Sequence, residues 1–151
     1  MLIELQLIGL VALAMLLGGL IGLEREMADK PAGLRTHMLV SGAAALLVGL
    51  SNIIVDAFTA EQSAVQVDPV RIIEAIVAGV SFLGAGTIIR SRENGQTEGL
   101  TTAASLLFVA GVGVGVATYH FILAVGAVGL ALLVLRVPSW FQRQFLTKER
   151  L

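Results

Sequence analysis

The chain has 151 residues, of which 56% are hydrophobic and 14% charged, with a formal net charge of -1 and a mean hydropathy of +0.89. A soluble domain carries about 25% charged residues to cover its surface, so this composition excludes an ordinary soluble enzyme, and its aliphatic richness excludes disorder. With no Cys there is no disulfide framework, thiolate nucleophile or cysteine zinc site, and the near-neutral balance argues against a nucleic-acid partner.

A chain of this kind has the lipid bilayer as its solvent. A hydrocarbon layer about 30 Å thick takes roughly 20 apolar residues as helix, and such runs follow one another here. Leu5 to Leu23 is the first, closed by Glu24-Arg25-Glu26. Only Glu4 is charged ahead of it, so it lacks the basic leader of a signal peptide and reads as a permanent span. His37 to Val55 is the second, with Thr36 as its expected N-cap and Asp56 at its end.

The third, Val70 to Ile89, opens on Asp68-Pro69, where an Asp side chain accepts orphan N–H groups and proline's fixed φ suits the first helical position. Arg71 and Glu74 stand three apart near its start and are expected to pair near headgroup level. Asn94-Gly95 marks a turn beyond Arg90 and Arg92. From Leu100 to Val137 one continuous helix would be about 57 Å long, nearly two bilayers. Its polar break at Thr118-Tyr119-His120 predicts a tight hairpin of fourth and fifth spans, with Pro138 stopping the fifth. The reading is an all-α, polytopic membrane bundle of five transmembrane helices over 1–137. A short cytoplasmic tail over 138–151 sets Trp140, Phe141 and Phe145 beside Arg143, Lys148 and Arg150, an amphipathic surface segment.

Basic residues are retained on the cytoplasmic side. Arg25, Lys30, Arg35, Arg90, Arg92, Arg136, Arg143, Lys148 and Arg150 fall on one side of this topology and only Arg71 on the other. That predicts an outer amino terminus and an inner carboxyl terminus.

Seventeen glycines recur on helix faces, with Gly18/Gly22, Ala45/Gly49, Ala75/Gly79 and Gly111/Gly115 each four apart. Such spacing lets backbones approach, within the chain or across a dimer seam. Gly79, Gly84, Gly86 and Gly111 are expected to line close helix contacts. Gly84-Ala-Gly86 is no dinucleotide fingerprint, because Ile89 replaces the third glycine and no strand is expected before it. His37 and His120 fall near opposite faces, which prevents a shared metal, and each reads as interfacial.

Glu24, Arg25, Glu26, Arg35, Arg90, Arg92 and Glu98 gather at the inner ends of four helices. Their interleaved signs favour ion pairs, Arg25 or Arg35 with Glu24 or Glu98, over carboxylates holding hydrated Mg²⁺. No enzyme, metal or cofactor site is expected. Glu74, Asn52, Thr101, Thr102 and Ser105 are the groups from which an ion pathway would have to be built.

Four blocks, Gly19-Leu-Ile-Gly-Leu-Glu-Arg-Glu26, Lys30-Pro-Ala-Gly-Leu-Arg-Thr-His37, Phe82-Leu-Gly-Ala-Gly-Thr-Ile-Ile-Arg90 and Gly99-Leu-Thr-Thr-Ala-Ala-Ser105, resemble the MgtC/SapB membrane family. The likeness runs from about Gly9 to Val137, and Asp68-Pro-Val-Arg71 looks like that family's entry to its third helix. It implies five spans in a bacterial inner membrane. Its motif positions here are Glu24, Arg25, Gly33, Arg35, Thr36, Arg71, Gly84, Gly86, Arg90, Gly99, Thr101 and Thr102. Longer members continue into a soluble cytoplasmic domain, whereas thirteen residues follow Pro138 here. The resemblance implies a link to magnesium homeostasis, acid tolerance and virulence. It also implies non-enzymatic regulation of other membrane proteins, ATP synthase among them, by a homo-oligomer, with a dimer favoured. A small oligomeric transporter of Mg²⁺ or protons is the alternative.

Overall fold

The computed structural model describes residues 1–60, 68–90 and 97–145. Five helices run in order, α1 (Leu2–Met27), α2 (Leu34–Ala60), α3 (Pro69–Thr87), α4 (Leu100–Ala117) and α5 (Phe121–Phe145). Four are long and apolar enough to cross a membrane, over Leu2–Met27, Leu34–Val55, Val70–Thr87 and Leu100–Ala117. The apolar part of α5 is shorter, Phe121–Arg136.

The helix ends follow from local chemistry. Two close identically: beyond α1, Asp29 takes φ 55° and the Lys30 N–H donates to Arg25 O at 3.0 Å; beyond α4, Tyr119 takes φ 62° and the His120 N–H donates to Gly115 O at 2.8 Å. A left-handed residue lets the chain double back while satisfying orphan carbonyls, which gives the expected tight hairpin at Thr118–His120. Asp68 caps α3, accepting the Val70 N–H at 3.0 Å, with Pro69 in the first turn as its sequence predicts. The start of α2 differs. It begins at Leu34, so Thr36 lies inside the first turn and is exposed. Its cap comes instead from Glu26, whose Oε2 accepts the Leu34 N–H at 2.8 Å.

The fifth helix corrects a second expectation, since it passes through Pro138 to Phe145. Proline's φ is compatible with a helix, so the chain carries on at the cost of one missing N–H bond and the ring's crowding of the carbonyl four residues back. The sequence-based boundary at 137/138 therefore falls within a helix; residues 146–151, with Lys148 and Arg150, lie outside the described residues. An unexpected two-residue antiparallel ribbon, β1 (Ile89–Arg90) with β2 (Thr97–Glu98), joins α3 to α4, pairing Ile89 with Glu98. Asn94-Gly95 and Arg92 lie outside the described residues.

Helix α4 is the hub, packing against all four others, while α1 and α2 form the most extensive pair. An apolar surface all round suits a helix enclosed by its neighbours. Leu106, Val109, Ala110, Val112 and Val116 of α4 are buried against Ala14, Leu17 and Ile21 of α1 and Ala44, Ala45 and Val48 of α2. Three helices come closest at Ser41. A Cβ on Gly18 of α1 would lie 2.6 Å from Ser41 Cβ, and one on Gly113 of α4 would overlap the Ser41 carbonyl oxygen. Gly22 is equally tight, 2.8 Å from His37 Cβ and Leu34 Cα. Among the described residues the expected close contacts at Gly79, Gly86 and Gly111 are not there, since a Cβ at any of them meets nothing within 4 Å; Gly84 does line one, buried against α4, where a Cβ would stand 3.3 Å from Ala103 Cβ, tighter than ordinary van der Waals contact. The closest seams are between α1, α2 and α4, and Gly79, Gly86 and Gly111 are exposed, facing away from them.

Candidate functional site

Polar side chains sit inside the bundle where the last turn of α1 meets the first turns of α2 and α4. Arg25 is 5% exposed, and its guanidinium grips the neighbouring Glu24 with both arms, Nε to Oε2 at 2.6 Å and Nη2 to Oε1 at 2.9 Å. Adjacent helical residues do not ordinarily face each other, so two long side chains have folded together over the helix surface. A bidentate, charge-assisted pair is what makes two charges tolerable with so little contact with water.

His37 is fully buried. Its Nδ1 lies 2.9 Å from Gly33 O and its Nε2 lies 2.9 Å from Ser105 Oγ on α4. The Ser105 hydroxyl lies 2.8 Å from Thr102 O, one turn back on its own helix. One turn deeper on α2, Ser41 Oγ is buried with no hydrogen-bond partner among the described residues. The expectation that His37 is interfacial is therefore corrected. On α2 the residues His37, Ser41, Ala44, Ala45 and Val48 share the inward face, and position 37 is its first polar member. That periodicity was the signal available in the sequence. His120 is exposed, held by Thr118 Oγ1 at 3.1 Å, on the far hairpin.

The other sequence-derived positions divide by location. Gly33 belongs to the cluster: its carbonyl serves His37, and a Cβ there would meet Glu26 Oε2 at 2.6 Å. Thr102 is buried beside Ser105, whereas Thr101 is exposed, lining with Ser105 an apolar cleft of about 690 Å³ between α4 and α5. Gly99 adopts φ 88° at the start of α4, and a Cβ there would overlap Thr87 O, so the close approach of α3's end to α4's beginning requires glycine. Arg35 and Glu98 are exposed and make no ion pair among the described residues. Arg90 is placed only as backbone of β1.

Arg71 and Glu74 lie towards the opposite end of α3, and both are exposed. Their expected pairing is replaced by a loose contact of Arg71 Nε with Asp68 Oδ2 at 3.9 Å, because both are fixed on the first turn and its cap. Asn52 is exposed as well, so neither it nor Glu74 joins Ser105 inside the bundle. Both Glu24 oxygens are engaged by Arg25, and among the described residues no three His, Asp or Glu side chains converge as metal ligands.

The model of the MgtC family matches residues 11–144. An uncharacterized protein of Haemophilus influenzae is 34% identical over 87% of this chain and 55% of its own length. An Escherichia coli K12 protein named "Putative magnesium transporter YhiD" is 38% identical over 83% of this chain and 57% of its own. Protein MgtC of Salmonella typhimurium is 46% identical over 67% of this chain and 38% of its own. The chain thus spans about half the length, or less, of the curated relatives it matches. No solved structure matches.

Proposed function

The chain belongs to the MgtC family, and on that premise we propose that it is a multi-pass protein of the bacterial inner membrane that serves magnesium homeostasis by regulating other membrane proteins, without enzymatic chemistry. The observation that carries this reading is where the polar groups stop. At one end of the bundle lie two hydrogen-bonded groups, the Glu24–Arg25 pair and the line from His37 through Ser105 to the Thr102 carbonyl. Past Ser41 the space between α1, α2 and α4 is filled by Ala14, Ala44, Ala45, Val48, Val112 and Val116. A close-packed apolar layer supports helix association better than ion passage.

The amino terminus is proposed to lie outside, which puts the cluster at the cytoplasmic face. A second copy is proposed to cover α3, the span with the smallest buried share, which exposes Glu74, Ala75 and Gly79. An acidic group on a lipid-facing helix is costly unless covered or hydrated. The transporter reading is favoured by the name of the Escherichia coli relative and by the Ser41 hydroxyl, which has no partner among the described residues. Crosslinking in native membranes followed by purification should capture a membrane-protein partner, and liposomes holding only this protein should pass no Mg²⁺ or protons. Flux in those liposomes, lost in Ser41→Ala, would replace regulation with transport.

A further inference from the structure

We propose that His37 is a proton-binding site of the bundle, whose two protonation states are both fully hydrogen-bonded because the Ser105 hydroxyl reverses its donation. The argument is one of donor counting. Gly33 O is a carbonyl and only accepts, so Nδ1, at 2.9 Å from it, carries a hydrogen. The neutral ring then has a bare Nε2, which needs a donor, and Ser105 Oγ stands 2.9 Å from it. In that state the Ser105 O–H points at the imidazole. When a proton from water at the membrane face binds Nε2, the same contact runs the other way: Nε2–H donates to Ser105 Oγ, and the Ser105 proton turns to Thr102 O, 2.8 Å away. One N–H bond forms, no heavy atom moves, and neither state leaves a buried donor or acceptor at this contact without a partner.

The surroundings suit such a site. From α1 the ring is faced by Glu24 and Arg25, which are paired with each other. Glu26 is occupied in capping α2. From α4 it meets Thr102 and Ser105, which carry no charge. On its own helix Arg35 is exposed. His37 is four residues beyond Gly33, the end of the connection from α1, and hence about 6 Å below that surface along the helix. A proton therefore has a short way in, and the bond it alters is the one joining α2 to α4 across 68 residues of sequence. Neither regulation nor transport, as proposed above, requires this site.

The direct test is ¹⁵N NMR of histidine-labelled protein in detergent micelles, with His120→Gln removing the other imidazole. The expected result is a neutral ring protonated on Nδ1 and bare on Nε2, converting on acidification to a doubly protonated ring while the protein stays folded. Ser105→Ala should move the midpoint to lower pH, by up to about one unit, because the charge-assisted bond lost by the imidazolium is stronger than the neutral one lost by the imidazole. Ser105→Thr should restore the midpoint, and Thr101→Ala should leave it unchanged. A neutral ring protonated on Nε2, a ring locked in one state throughout the folded range, or a midpoint indifferent to Ser105→Ala would each overturn the proposal.

Discussion

Replacing Gly113 by Ala adds one methyl group at the tightest point of the bundle. That methyl would overlap the Ser41 carbonyl oxygen and stand 3.0 Å from Ser41 C and 3.1 Å from Ala44 Cβ. Two of these are backbone atoms, which cannot rotate away, so relief requires α2 and α4 to separate. Overpacking of this kind costs about 1–3 kcal/mol. A gap of even half an ångström along the seam also weakens dispersion contacts that have no hydrophobic drive behind them in lipid. Ala is the better helix former by up to about 1 kcal/mol, which leaves a net loss of up to about 2 kcal/mol. Gly111→Ala is the matched control, two residues away on the same helix with nothing within 4 Å of the new methyl. It should be neutral or stabilise by up to about 1 kcal/mol. Both variants remove one glycine from the unfolded chain, so their difference reports folded-state packing alone. Equilibrium unfolding of wild type and both variants in mixed micelles measures it. A Gly113→Ala protein as stable as Gly111→Ala would show that the helices do not meet as described.

Other consequences are as open to measurement. Separating Arg25 from Glu24 by a Gln at either position should cost about 3–5 kcal/mol, since each change strands a charge in a poorly hydrated place; exchanging the two residues should recover part of it, and Mg²⁺ should leave wild-type thermal stability unchanged. Glu26→Ala, which uncaps α2, should cost about 1 kcal/mol in the same unfolding assay. Asp29→Gly should stabilise by up to about 1 kcal/mol, because the left-handed turn at φ 55° then carries no Cβ. An impermeant thiol reagent applied outside intact cells should label His120→Cys and spare Lys30→Cys, and the opposite pattern would invert the proposed orientation.

Several features were legible because a few neighbouring residues decide them. The Asp68-Pro69 start needs one carboxylate and one ring, and the Thr118–His120 break needs only that a helix of some 57 Å is too long for a bilayer. Other features depend on what the chain meets after folding. Glu26 caps a helix eight residues ahead because the Asp29 turn brings it back, whereas Thr36 looked a better cap by local rules. His37 looked interfacial from its place near a helix end, and only the register it shares with Ser41, Ala44 and Val48 assigns it inward. The glycines fared likewise. Spacing identified Gly18 and Gly22, but the same spacing at Ala75/Gly79 and Gly111 left exposed faces, since a small residue permits close approach without requiring it.

The bond between His37 and Ser105 also bears on how the protein is made. Chain synthesis proceeds from the amino terminus, so α1 and α2 can settle together through Gly18 and Gly22 before α4 exists. At that stage the inward face of α2 at His37 lacks its cover, and an imidazole nitrogen is offered to hydrocarbon. The arrival of α4 closes that face, and Gly113 is what allows it to fit over Ser41. An assembly intermediate halted before α4 would thus carry an imidazole nitrogen without its partner in the membrane, a polar mark that the finished copy has closed.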